Sequence, residues 1–232
     1  LAQIGAVRVI AHTSVMAYKA TSKPHPQIAR ELSAHAVIAG SVLRSGDRVR
    51  LTVRLTTAPT SRPIWEKSAE RDLKELPLLR GEMAQAVAEE LRIDVSADER
   101  ARLRRAKPVV PDAHDLYLKG RARMHGGAED DLTEAIALFE AAIARDDTDA
   151  PAWSALAEAQ LVRLAKNGTP ADVMPKAKAA ASRSIALDAT LADAHRSLGM
   201  VHLQWEWDWA GADRELKRAI ELRPSSGDAH AA

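Results

Sequence analysis

His195-Arg196-Ser197-Leu198-Gly199-Met200 opens a segment that continues through Ala212, Leu216 and Ala219 to Pro224. A small residue, a large one four positions on, and a small one three further along are what two helices need where their axes cross closely. The series recurs upstream as Ala135, Phe139, Ala142 with Asp147, and as Ala177, Ala181, Ser184 with Ala189. Ala142, Ser184 and Ala219 lie 42 and 35 residues apart, a period that marks stacked supersecondary units. A helix with a matching face precedes two of them: Trp153, Leu156, Ala157 and Gln160, then His195, Leu198, Gly199 and His202. Each unit is expected to be an antiparallel helix hairpin.

This pattern resembles the tetratricopeptide repeat, a 34-residue helix pair that stacks into a right-handed solenoid. The resemblance covers about residues 112–232. The third unit, Ala192 to Ser226, is nearly standard, with one extra residue between its helices. The second carries about eight extra residues around Asn167-Gly168-Thr169-Pro170, predicting a projecting loop. In the first, the register stays open around Leu116 to Met124, and His125-Gly126-Gly127 predicts a lengthened turn; a fourth begins at Gly227. The resemblance implies a protein or peptide partner on the face of the first helices. On this chain that face offers Ser154, Glu158, Leu161 and Val162, then Arg196, Met200, Leu203 and Gln204.

The first half differs in charge. Residues 1–107 hold 19 Lys+Arg against 12 Asp+Glu and the remainder 14 against 20, although the chain nets only +1. Two domains are expected, 1–93 and 112–232, with a linker at 94–111 ending in Pro108 and Pro111. Arg48 to Thr56 alternates apolar and polar, the period of a half-buried strand. Ala36 to Arg44, the turn Ser45-Gly46-Asp47 and a third alternating run at Ile64 to Arg71 complete an antiparallel meander. A strand at Val7 to Ile10 and helices at Pro26 to Leu32 and Pro77 to Ile93 are also expected, and Ser96-Ala97-Asp98-Glu99 has capping-box spacing. The fold class is thus an α+β domain, incomplete at its start, followed by an all-α solenoid.

The order Val7-Arg8-Val9-Ile10, Ile28-Ala29-Arg30-Glu31-Leu32, Gly40-Ser41-Val42, Trp65-Glu66 and Arg71-Asp72-Leu73 resembles the TolB-like amino-terminal domain of bacterial signalling proteins. That resemblance implies a further strand and helix upstream, and a parent regulator carrying a winged-helix, kinase or cyclase module. This chain, which begins at Leu1, is then expected to be a non-catalytic sensing or interaction region. The resemblance further implies a bacterial protein, with the extracytoplasmic side of a membrane favoured over the cytoplasm and any membrane contact running through an upstream segment.

Several features invite chemistry. Arg44, Arg48, Arg50 and Arg54 are expected on one sheet face, where they could meet an anion or pair with Glu66 and Glu70. The string Arg100, Arg102, Arg104, Arg105 and Lys107 lacks interleaved aromatics and is taken as a solvated linker helix, so no nucleic acid is expected. His195 and His202 are read as packing residues rather than metal ligands. Trp205, Trp207 and Trp209 are expected to close a helix turn beside a capping Asp208. Asp146 to Asp149 lacks the glycine and distal Glu of a calcium loop. No cofactor is expected. With 46% hydrophobic residues the chain can bury a core; it has no cysteine, hence no disulfide or thiolate chemistry, and no apolar run near the ~20 residues that span a bilayer. A homodimer, and a small-molecule ligand between domains or at a dimer interface, remain alternatives.

Overall fold

The computed structural model describes residues 6–10, 14–15, 17–18, 21–57, 63–104, 107–124, 129–166 and 168–223. Expectations for residues 1–4, Met16, the turn at 59–62, Arg105, His125-Gly126-Gly127, Asn167, Pro224 and the unit from Gly227 lie outside these. The chain divides into two compact units, Leu1–Val109 and Val110–Ala232.

In the first unit α1 (His25–Glu31) precedes β1 (Ala36–Ser45), β2 (Arg48–Thr57) and β3 (Trp65–Asp72). The strands form an antiparallel sheet in the order β1-β2-β3. Gly46 opens the two-residue turn between β1 and β2 at φ 58°, the left-handed conformation that a hairpin turn of this length requires. A single 3-10 turn, Leu73–Glu75, leads into α2 (Leu76–Glu90). Leu79, Met83 and Val87 of α2 lie on Val49 and Val53 of β2, so strand period two meets helical period four across one buried layer. The expected strand at Val7 to Ile10 is instead irregular, and Val7 packs beside Ala88 and Leu103.

The segment expected as a linker is largely built into this unit. In α3 (Ala97–Arg104) the Glu99 N–H donates to Ser96 Oγ and the Ser96 N–H donates to Glu99 Oε2, the reciprocal cap its spacing predicts. Leu103 is buried, and a Cβ on Gly81 of α2 would stand 2.2 Å from its carbonyl oxygen. Such an approach of two helices requires glycine. The apolar Leu103 inside a basic string is what turns the expected solvated helix into a packed one.

Among the described residues the second unit holds three helix pairs: α4 (Pro111–Met124) with α5 (Glu129–Arg145), α6 (Ala150–Lys166) with α7 (Pro170–Leu187), and α8 (Ala192–Val201) with α9 (Trp209–Leu222). The first pair begins at Pro111, where the missing N–H costs a helix nothing. Ala135, Phe139, Ala142, Ala177, Ala181, Ser184, Ala212 and Ala219 are all buried. One core runs from α5 through α6 into α7, with Tyr117 and Leu198 packed at its two ends.

The two departures from a regular period are absorbed within helices. Where eight extra residues predict a projecting loop, α6 and α7 run to 17 and 18 residues and only residues 167–169 connect them. Helical propensity in this Ala-rich stretch extends both partners of the pair instead. The single extra residue of the third unit forms a π-helical turn at His202–Glu206, after which Trp207 takes φ 56° and the Asp208 carboxylate accepts from the Gly211 N–H.

The Asp146 to Asp149 segment is a turn. The Thr148 N–H and hydroxyl both donate to Asp146, and Asp149 accepts from the Ala152 N–H at the start of α6. Burial pushes the Asp149 carboxyl up to about 6, with neighbouring Asp146 adding to the effect. A raised carboxyl favours the protonated form in the folded state. Its stabilisation is full below the unfolded carboxyl range, near pH 4, and is lost as pH rises through about 6. Asp149→Asn, which keeps the accepting oxygen without the charge, should therefore exceed the parent in urea resistance at pH 7.5, by at most about 1 kcal/mol. The advantage should vanish at pH 4; an equal gain at both values would contradict this origin.

Candidate functional site

The first helices of the three pairs stand side by side, with α6 against both α4 and α8. Across them runs one row of charge. Arg121 of α4 donates to Glu158 Oε2 at 2.6 Å, and Arg196 of α8 approaches Glu158 Oε1 at 3.4 Å. These side chains are 21–32% exposed, so the row is neither a free surface pair nor a buried one. Burial alone would pull the Arg121 guanidinium down, and the Glu158 carboxylate together with Tyr117 and Asp193 more than offsets it, holding the group above its ordinary value. Two guanidiniums thus share one carboxylate. Arg196 is the less engaged, because its Nε is buried with no hydrogen-bond partner.

The other expected partner-facing residues divide. Ser154 is 5% exposed and belongs to the interior. Leu161 packs against Met174, Ala177 and Val201, and Val162 against the central core, so both fill layers between helices. Once α6 is flanked on both sides, only a narrow strip of it faces outward. Met200 and Leu203 are half-buried, and Gln204 is exposed in the π-helical turn. Arg121 was not anticipated. It follows Gly120 as Glu158 follows Ala157, and that equivalence emerges only when the register of the first unit is fixed.

The two histidines are held inside the fold. His195 joins three segments, with Nδ1 2.7 Å from Glu215 of α9 and Nε2 3.1 Å from the Ala189 carbonyl. His202 Nδ1 lies 2.7 Å from Glu206 one turn on, and Lys178 of α7 also pairs with Glu206. Trp207 and Trp209 meet edge to face at 6.1 Å and remain exposed, which leaves an open corner and not an enclosing cage.

On the sheet of the first unit, Arg54 donates to Glu66, and Arg48 and Arg50 both donate to Glu70. These three arginines spend their charge across the ladder, and the paired guanidiniums lower the Glu70 carboxyl. Arg44 does not share their face. The two-residue turn sets it opposite Val49, on the side of the apolar residues, where its Nε donates to the Gly46 carbonyl. No group of metal-ligating side chains gathers among the described residues, and no described helix is long and apolar enough to cross a membrane.

No family model matches the chain. It is 26% identical over 207 residues, 88% of its length, to a protein of Rhizobium meliloti (strain 1021) provisionally named adenylate cyclase 3. The match covers 35% of that protein, so the chain spans about a third of its relative. Among solved structures, the TPR domain of Arabidopsis OM64 is similar at TM-score 0.43 and 17% identity, over 52% of this chain and 89% of that one. The Sgt2 TPR domain from Aspergillus fumigatus gives 0.43 and 21%, over 53% and 74%. The first TPR of Spaghetti (RPAP3), bound to the HSP90 peptide SRMEEVD, gives 0.42 and 22%, over 52% and 86%.

Proposed function

We propose that the second unit docks a protein or peptide segment across its first helices, and that the chain is the non-catalytic interaction region of a bacterial signalling regulator. The row Arg121, Glu158, Arg196 carries this proposal. It crosses three successive units, holds two cations to one anion, and keeps the Arg196 side chain 21% exposed. A carboxylate on an incoming segment would meet a planar guanidinium able to bind it through two parallel hydrogen bonds. The regulatory setting is supported by the Rhizobium relative, whose printed name is a cyclase and whose length is about three times the matched part. The TolB-like resemblance of the first unit favours the same setting.

Titration calorimetry with pooled acidic and basic peptides tests the docking face. Acidic peptides should bind and Arg196→Ala should weaken them about tenfold or more, a loss of roughly 1.4 kcal/mol. Equal binding of both pools, or an Arg196→Ala variant of unchanged affinity, would remove the proposal.

A further inference from the structure

We infer that Glu158 sets the specificity of the docking face, limiting an incoming segment to a single side-chain carboxylate flanked by neutral or apolar residues. This rests on the docking face proposed above and names the class of segment it takes. The row Arg121, Glu158, Arg196 has charged neighbours of its own. Asp193, three residues before Arg196 on α8, accepts from both terminal nitrogens of Arg223 at 2.7 and 2.9 Å. It also stands close enough to Arg121 to help hold that guanidinium charged. The face thus sets Arg121, Arg196 and Arg223 against Glu158 and Asp193, with one cation in excess.

That excess resides at Arg196. Arg223 is closed by two parallel hydrogen bonds to one carboxylate, the strong geometry for such a pair. Arg121 holds Glu158 at 2.6 Å, whereas the contact between Arg196 and Glu158, at 3.4 Å, is near the limit of a hydrogen bond. A carboxylate that displaces this weak contact leaves Glu158 bound to Arg121 and brings the face to neutrality. A second carboxylate on the same segment finds no open cation in the row. Around Arg196 lie Asp193 one turn back, Glu158 on α6, and the half-buried Met200 one turn on. Two anions repel the second carboxylate, and partial burial keeps that repulsion from being fully screened. Met200 instead favours an apolar residue beside the first.

The test uses short peptides with both ends blocked, carrying one Glu among Ala and Leu, against the same peptides with two adjacent Glu. By titration calorimetry the parent chain should bind the one-Glu peptide at least as tightly as the two-Glu peptide. Glu158→Gln should shift the preference at least fivefold toward two Glu, and Glu158→Asp, which keeps the charge, should not. The shift should shrink between about 0.05 and about 0.5 M salt, as an electrostatic origin requires. Because the preference is a ratio of two affinities on one variant, partial unfolding lowers both equally and cannot imitate it. A parent that prefers two Glu fivefold or more, or a preference that Glu158→Gln leaves unmoved or that both variants shift alike, would overturn the inference while leaving an Arg196-dependent docking face standing. Peptides that fail to bind at all, or that bind Arg196→Ala unchanged, would remove the docking face and this inference with it.

Discussion

Phe139→Ala should unfold the second unit at markedly lower denaturant, at a cost of about 3–5 kcal/mol. Phe139 is the chain's sole phenylalanine and is fully buried, its ring facing Tyr117 at 6.2 Å and lying directly over Gly120. Its neighbours across α5 and α6 are mostly alanines, which cannot reorient to fill the space it would leave. For a unit of this size the midpoint temperature should fall on the order of 10–20 °C. The partner position gives an internal check. A Cβ on Gly120 would lie 2.6 Å from the Phe139 ring, so Gly120→Ala should cost about 1–3 kcal/mol by overpacking. In the Phe139→Ala background the same change should cost far less, since the obstructing ring is gone. Additive losses would show that the two do not share one contact.

The same contact shows what the sequence could convey and what it could not. Spacing alone located Phe139 between Ala135 and Ala142, and all three are buried as that spacing requires. It did not identify Gly120 as the surface they meet, because a single glycine in a helical stretch carries no periodic signal and the turn after it obscured the register. Gly199, with Leu198 before it and the full series after it, was legible. It holds the equivalent place, a Cβ there falling 2.8 Å from Leu216. Insertions were read least well. An extra residue in sequence specifies extra chain, whereas local energetics decides between a loop, two longer helices and a π-helical turn. On the sheet, alternation fixed the arginine face for Arg48, Arg50 and Arg54, but Arg44 needed the turn length, which reverses parity from one strand to the next. The candidate site was half legible for a related reason. Glu158 and Arg196 lie in the charged row, whereas Ser154 is buried and Leu161 and Val162 are partly buried, Leu161 against Met174 and Ala177 of its own pair and Val201 of the next.

Glu158→Ala should cost about 1–3 kcal/mol, below the 3–5 kcal/mol for a fully buried pair because solvent reaches all three side chains. The loss arises mainly from two guanidiniums left facing each other across α6 without the carboxylate. Replacing the row entirely, as Arg121→Met/Glu158→Leu/Arg196→Met, should therefore recover most or all of it, since apolar side chains of similar volume fill the strip without a desolvation cost. Chemical denaturation of the single and triple variants measures this directly. If the triple variant regains the parent's stability yet no longer binds acidic peptides, the charges serve docking and the fold merely tolerates them. If it stays as unstable as Glu158→Ala, the row is holding the three first helices together, and the carboxylate-binding role assigned to Arg196 loses its main support.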